Sequence, residues 1–299
     1  MTLEERIVNE ARRLGFAAVG FAVAGPSQTH ERFVEWLARG CEAGMSYLRR
    51  HADLRRDPRA LAPAAKTVIA VAARYPVNPD PGAGFSSYAR GLDYHGVLRE
   101  KLRRLAQFLA REGGATVARI CVDSAPVAER EWAARAGIGW IGRQGQLVHP
   151  RLGCCLFLGE ILTDLALAPT PPMPNRCGTC HRCRDACPTQ AIGPDGLVDA
   201  RRCISYLTVE HKGAIPEDLR SRLGGSLFGC DRCTAACPWN RFGAEAVMPE
   251  FLPRPLPSAE EILAMTEEQF EEQFRDHPAR RTGLDRLKRN AAAANARLN

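Results

Sequence analysis

Twelve cysteines stand in this 299-residue chain, and eight of them fall between Cys177 and Cys237. Cys177, Cys180, Cys183 and Cys187, followed by Pro188, spell C-x2-C-x2-C-x3-C-P. In that spacing three thiolates grip one iron–sulfur cubane and the fourth reaches a second one. Cys230, Cys233 and Cys237, followed by Pro238, repeat the same ending, and Cys203 is the spare thiol that completes the set. Exchanging the fourth cysteine of each run gives one [4Fe-4S] cluster to Cys177, Cys180, Cys183 and Cys237, and the other to Cys187, Cys203, Cys230 and Cys233. Paired C-x2-C units also build four-cysteine zinc sites. Zinc gives no reason for two Cys-Pro endings or a three-thiolate run, so the pattern favours iron–sulfur. Cys41, Cys121, Cys154 and Cys155 have apolar neighbours and read as small core residues.

The first half offers other candidates. Asp123 ends a strand-like run and precedes Ser124, Ala125 and Pro126, where the proline suits the first turn of a helix. It is either a carboxylate favoured by a helix N-terminus or a group at the ligand-binding end of an α/β sheet. Residues 137–142 match G-x-G-x-x-G, but a helix-like run (127–136) precedes them and a strand-like run (156–162) follows. That is the reverse of a dinucleotide fingerprint, so the glycines read as sites of close backbone approach. Asp93, Tyr94 and His95 begin like the D-x-H-x-x-G motif by which some cobalamin proteins give a histidine to cobalt. Leu98 stands where the glycine belongs, so His95 reads as a supporting polar group and not a cobalt ligand. Arg49, Arg50, Arg55, Arg56 and Arg59 crowd a loop-like stretch, and Arg143 and His149 flank the glycine loop. These are donors of the kind an anionic cofactor or an RNA backbone needs.

Positioning these groups requires a layered domain. Leu3, Ile7, Ala11 and Leu14 recur at helical spacing, as do Phe33, Trp36 and Leu37, with Gly15 and Gly40 at the helix ends. A buried strand starts at Lys66, and Leu98, Leu102, Leu105 and Leu109 mark a helix closed by Gly113 and Gly114. A strand follows over 116–122, and this alternation predicts an α/β domain. Pro169, Pro171, Pro172 and Pro174 mark a linker, and Ser258 with Glu261 forms a capping box for a later helix. With 45% hydrophobic and 25% charged residues the composition is that of ordinary globular proteins. The start lacks a secretory or twin-arginine pattern and no apolar run is long enough to span a bilayer, so a soluble cytoplasmic protein with reduced thiols is expected. The charge of +7 is concentrated in the tail from Pro278, where Arg280, Arg281, Arg286, Lys288, Arg289 and Arg297 face only Asp285. Such a tail suits phosphate contact, as it suits a solvated helix face.

Taken together, the stretches 122–130, 136–142, 177–192, 202–208 and 229–240 make the chain resemble the epoxyqueuosine reductases, cobalamin-dependent iron–sulfur enzymes of tRNA queuosine biosynthesis. The resemblance runs to about Asn290. It implies a nitroreductase-like cobalamin-binding α/β domain (1–168), related to reductive dehalogenases, a ferredoxin-like domain with two [4Fe-4S] clusters (169–250), and a helical C-terminal segment (251–299). It implies base-off cobalamin between the first two, and removal of the epoxide oxygen of epoxyqueuosine at the tRNA wobble position, with electrons from an unidentified low-potential donor. By the same resemblance Asp123 is the proton donor, its carboxyl held near neutral pH by burial, and Arg55, Arg143 and Ser205 join it around cobalamin. Members of this family often continue into helical repeats, so here the grip on tRNA is expected from elsewhere, such as the basic tail. The competing readings are a reductive dehalogenase of a small molecule and a ferredoxin-like electron carrier; the size of the first domain argues against a mere carrier.

Overall fold

A computed structural model describes residues 1–242 and 247–295. Its centre is a four-stranded sheet in the order Ala18–Val23, Thr67–Arg74, Leu156–Thr163, Ala118–Cys121. Thr67–Arg74 is a nearly continuous apolar run because the sheet is covered on both faces. Side chains alternate across a strand, so Ile69, Val71 and Ala73 join one core and Val68, Ala70 and Ala72 the other. The first core is closed by the helices Leu3–Arg13 and Tyr94–Gly113, through Ile7, Ala11, Leu98, Leu102, Leu105 and Leu109. Gly114, left-handed at φ 70°, caps the longer helix as the paired glycines predict. The second core lies under the helix Glu129–Arg135, with Trp132 and Ala133 buried against the sheet.

All three strand pairings are antiparallel. Asp123 does follow a strand end, but the rule that ligands bind at the carboxyl ends of strands belongs to parallel sheets and gives no reason for it here. The arginine-rich stretch expected as loop is corrected: it forms the short helices Ser46–Arg50 and Ala52–Arg56, with Arg49 paired to Glu42 and Arg59 to Asp57.

The proline linker runs along the outer edge of the sheet, where the Thr170 amide donates to the Phe21 carbonyl (2.9 Å) and the Phe21 amide to Thr170 Oγ1 (3.1 Å). Two segments cross between the halves. Ala83–Phe85 pairs in parallel with Gly225–Phe228, and Met248 and Phe251 return to the first core. The Ser258 capping box is formed, and a second, Thr266 with Gln269, starts the next helix. Phe270, Phe274, Leu284, Leu287 and Ala291 then pack the C-terminal helices onto Phe85 and Phe228. Among the described residues no helix is long and apolar enough to cross a membrane.

Candidate active site

Asp123 follows the strand Ala118–Cys121 and adopts the left-handed conformation, φ 51°, which costs energy for a residue with a Cβ. The turn is held because the Asp123 amide donates to Glu129 Oε1 (2.5 Å), tying the strand end to the start of the following helix. Its carboxylate then meets His95, whose Nε2 lies 2.9 Å from Asp123 Oδ2. His95 Nδ1 lies 2.6 Å from Asp93 Oδ1, and Asp93 also caps its helix by accepting from the His95 amide (3.1 Å). Arg281, from the C-terminal segment, completes the array, donating to Asp93 Oδ2 (3.2 Å) and lying 3.0 Å from His95 Nε2. Two carboxylates thus face an imidazole and a guanidinium.

The charges follow from this geometry. Burial disfavours the His95 imidazolium, but hydrogen bonds to Asp123 and Asp93 outweigh it and raise the His95 pKa. Burial likewise pushes the Asp123 carboxyl up, yet the His95 hydrogen bond and charge, with a hydrogen bond from Tyr94, hold it below its ordinary value. The expectation of an Asp123 carboxyl held near neutral by burial is thereby corrected. The raised pKa favours the protonated ring, in which Nδ1–H is donated to Asp93 and Nε2–H to Asp123. Sequence reasoning left His95 as a supporting group; the D-x-H spacing at a helix start was the signal that could have paired it with an acid.

The array opens into a cavity of about 1940 Å³ between the sheet and the cysteine-rich segment, well beyond the roughly 300–1,000 Å³ of ordinary small-molecule sites. Asp123, Arg55, Arg143 and Ser205 all line it. Arg55 is anchored by donation to the Val127 carbonyl (2.8 Å) and Arg143 by donation to the Gly178 carbonyl (2.8 Å). Among the described residues that line it, the buried donors Arg55 Nε, Trp140 Nε1 and Gln144 Nε2 have no protein acceptor, and His30 Nδ1 is buried without a partner as well. The glycine loop forms one wall and meets backbone, as expected: a Cβ on Gly137 would come within 2.5 Å of the Pro171 oxygen, and one on Gly139 within 2.2 Å of the Val148 oxygen. His149 is not a cavity group. Its Nδ1 accepts from the amides of Arg151 and Leu152, and burial lowers its pKa to about 4.

Across the cavity the thiols gather in two sets. Cys183 lies in the field of Cys177 and Cys237, whereas Cys203 and Cys233 each lie in the field of Cys187 and Cys230. The Cys180 amide closes a turn onto the Cys177 carbonyl (3.0 Å). Among the described residues no three His, Cys, Asp or Glu side chains converge as ligands of one ion; a cubane needs a wider arrangement, each thiolate on a different iron. Cys41, Cys121, Cys154 and Cys155 are buried.

A curated epoxyqueuosine reductase from Alicycliphilus denitrificans is 40% identical over 310 residues, covering 98% of this chain and 86% of the relative. The chain belongs to the epoxyqueuosine reductase family. The family model described as "Epoxyqueuosine reductase QueG, DUF1730" matches residues 55–124, and one described as a 4Fe-4S double cluster binding domain matches 176–240. A crystal structure of an epoxyqueuosine reductase with an epoxyqueuosine-modified tRNA-Tyr stem loop superposes with a TM-score of 0.90 at 31% identity, covering 98% of this chain and 81% of that one. A catabolic reductive dehalogenase shares the fold more distantly, with a TM-score of 0.52 at 19% identity over 81% of this chain and 32% of that one. As an epoxyqueuosine reductase the chain is an oxidoreductase of mixed α/β content with a double iron–sulfur cluster domain.

In this epoxyqueuosine reductase four arginines of the basic tail are anchored within the protein. Arg280 pairs with Glu271 and Arg281 closes the acid array. Arg286 donates to the Thr282 and Val209 carbonyls, and Arg289 to those of Leu207 and His211. Arg297 lies outside the described residues.

Proposed function

We propose that the protein reduces epoxyqueuosine to queuosine at the wobble position of tRNA, with the His95–Asp123 pair delivering a proton into the cavity. The observation that carries this is the hydrogen bond between His95 Nε2 and Asp123 Oδ2 at the cavity wall. Reductive opening of an epoxide needs a proton on the oxygen. Asp123 projects toward the cavity, its side chain 49% exposed although protein surrounds its base. His95, only 6% exposed, holds the proton behind it. As substrate oxygen gains negative charge, Asp123 takes the proton from His95 through the existing hydrogen bond and hands it to that oxygen. Asp93 and Arg281 keep the ring oriented while this happens.

The residues fit the expected cofactors. The cavity has room for cobalamin as well as a nucleoside, and its three unpartnered donors suit a cofactor rich in amide carbonyls. Arg55, Arg143 and Ser205, with Trp140 and Gln144, would hold it beside Asp123. Bound base-off there, cobalamin would supply the reductive chemistry, with single electrons from the clusters. Both ring nitrogens of His95 are engaged, which supports binding without this histidine on cobalt, as does Leu98 in the broken motif. The two thiol sets support the crossed ligand scheme, with Cys177, Cys180, Cys183 and Cys237 on one cluster and Cys187, Cys203, Cys230 and Cys233 on the other.

We further assign a nitroreductase-like sheet domain to 1–168, the ferredoxin-like domain to 169–250 and the helical segment to 251–299. The electron donor is a low-potential carrier, and the setting is cytoplasmic. The test is anaerobic incubation of the reconstituted protein with tRNA carrying epoxyqueuosine, followed by nucleoside analysis. Queuosine should appear with wild type, and its absence would overturn the reading.

A further inference from the structure

Deoxygenating an epoxide to an alkene breaks both C–O bonds, forms a C=C bond and releases water, and it consumes two electrons and two protons. The electrons come one at a time from the low-potential donor through the clusters. The His95–Asp123 pair holds one transferable proton, so the second must come from elsewhere.

A second carboxyl lines the same cavity. Glu129 stands at the first turn of the helix Glu129–Arg135, with Oε1 accepting from the Asp123 amide. That contact places the two acids on one turn, while Oε2 is not occupied by the same bond. Behind it lies Glu160, on the strand Leu156–Thr163 between Ala70 and Cys121, wholly buried and with neither carboxylate oxygen partnered. A carboxylate so placed cannot stay ionised without a counter-charge, so Glu160 is a neutral acid under Glu129.

We propose that Glu129 is the second acid of the reaction, giving the departing oxygen the proton that the His95–Asp123 pair cannot supply. This rests on the reading of the cavity as the deoxygenation site. The groups around Glu129 make the role feasible. Asp123 faces it from the strand end, Glu160 and Cys121 from the sheet, and Tyr94 from the long helix; Arg130 on its own helix and Arg55 from the helix Ala52–Arg56 supply positive charge. Burial first, and then the Asp123 charge, push the Glu129 carboxyl up to about 7, while Arg130 and Arg55 keep it from rising further. Two acids on one turn are thus tuned in opposite directions, Asp123 lowered by its imidazole partner and Glu129 raised toward neutrality by burial.

The experiment compares wild type, Glu129→Gln and Asp123→Asn as anaerobic holoproteins on epoxyqueuosine tRNA across pH, together with infrared titration of their carboxylic C=O stretches. Gln keeps the acceptor for the Asp123 amide and removes the proton. Glu129→Gln should lower turnover about 10²-fold, the low end of what a positioned acid contributes, and abolish the alkaline limb that wild type shows near pH 7. The infrared band of a carboxyl titrating near pH 7 should be present in wild type, shifted to lower pH in Asp123→Asn because the charge that helps raise it is gone, and missing from Glu129→Gln. Wild-type turnover with an intact alkaline limb in Glu129→Gln overturns the proposal, as does a wild-type spectrum with no carboxyl titrating near neutrality. The infrared titration of wild type decides even where the variant folds poorly. If wild type itself makes no queuosine, the reading of the site fails instead, which separates the two.

Discussion

The sheet buries both faces under helices of 11, 20 and 7 residues, whereas the cysteine-rich segment turns on helices of four residues, Arg182–Asp185 and Arg232–Ala235. Helices that short have no stability of their own, since nucleation costs more than one turn returns. Some apolar residues beside them form a small cluster of Trp140, Val148 and Cys154, against which Cys177, Cys237 and Trp239 pack, and Cys203 and Cys230 lie at the margin of another built on Ala200, Ile204, Tyr206, Leu207, Ile215, Leu219 and Leu223. The sheet half is therefore organised by extended apolar burial, whereas the cysteine half adds its ligands to smaller clusters, in the way that metal binding becomes folding energy in small metal domains. The cavity lies between these two walls.

The largest expected effect comes from unloading that second wall. Anaerobically prepared wild type should carry about eight irons and eight sulfides per chain. Cys203→Ser should carry about four and make no queuosine, because the electron path is cut. Two intact clusters in that variant would refute the crossed assignment. Chelated protein should be cut by protease within 176–240 while the sheet stays protected; equal protection of both regions would erase the contrast between them.

Next comes Asp123→Asn, which leaves both walls standing and removes the carboxyl at the cavity. Turnover should fall by roughly 10²–10⁴-fold, with iron and cobalamin content unchanged. Loss of cobalamin would make Asp123 a cofactor contact and move the acid elsewhere. A smaller effect should follow Leu102→Ala in the sheet core, where the side chain is fully buried. Thermal or denaturant unfolding of the sheet half should lose about 2–5 kcal/mol, with iron per folded chain unaltered.

The cysteine half was legible because ligand spacing is written directly in the sequence: Cys177 to Cys237 needed only counting. The helices Leu3–Arg13 and Tyr94–Gly113 were legible from their apolar period and closing glycines. The antiparallel order of the sheet was not, since pairing partners such as Ala118 and Thr163 lie 45 residues apart in sequence and strand direction leaves no local mark. The acid array was legible only in part. Asp123 could be nominated, but its partners come from two distant segments, and the sign of its pKa shift depends on a histidine whose approach no spacing encodes. The anchoring of the tail was not legible, because charge shows in sequence while the carbonyls that receive Arg286 and Arg289 do not.

The smallest effect expected is the pH dependence that the His95–Asp123 pair gives to stability. His95 has a raised pKa in the folded state, so its contribution is fully present below the ordinary histidine value of about 6.5 and is lost as pH rises through the raised one. Asp123 has a lowered pKa, so its contribution is present above the ordinary carboxyl value of about 3.9 and is lost as pH falls through the lowered one. Both hold only in the window between, centred at about pH 5 to 6. Because Asp123 is half open to the cavity, solvent screens the pair and the effect should stay below about 1 kcal/mol. Urea unfolding of wild type and His95→Gln across pH should therefore show a difference that is greatest in that window and fades above neutrality. A difference that grew steadily with pH would mean that the proton is not on His95, and that the acid array must be reassigned with the charge on Arg281 alone.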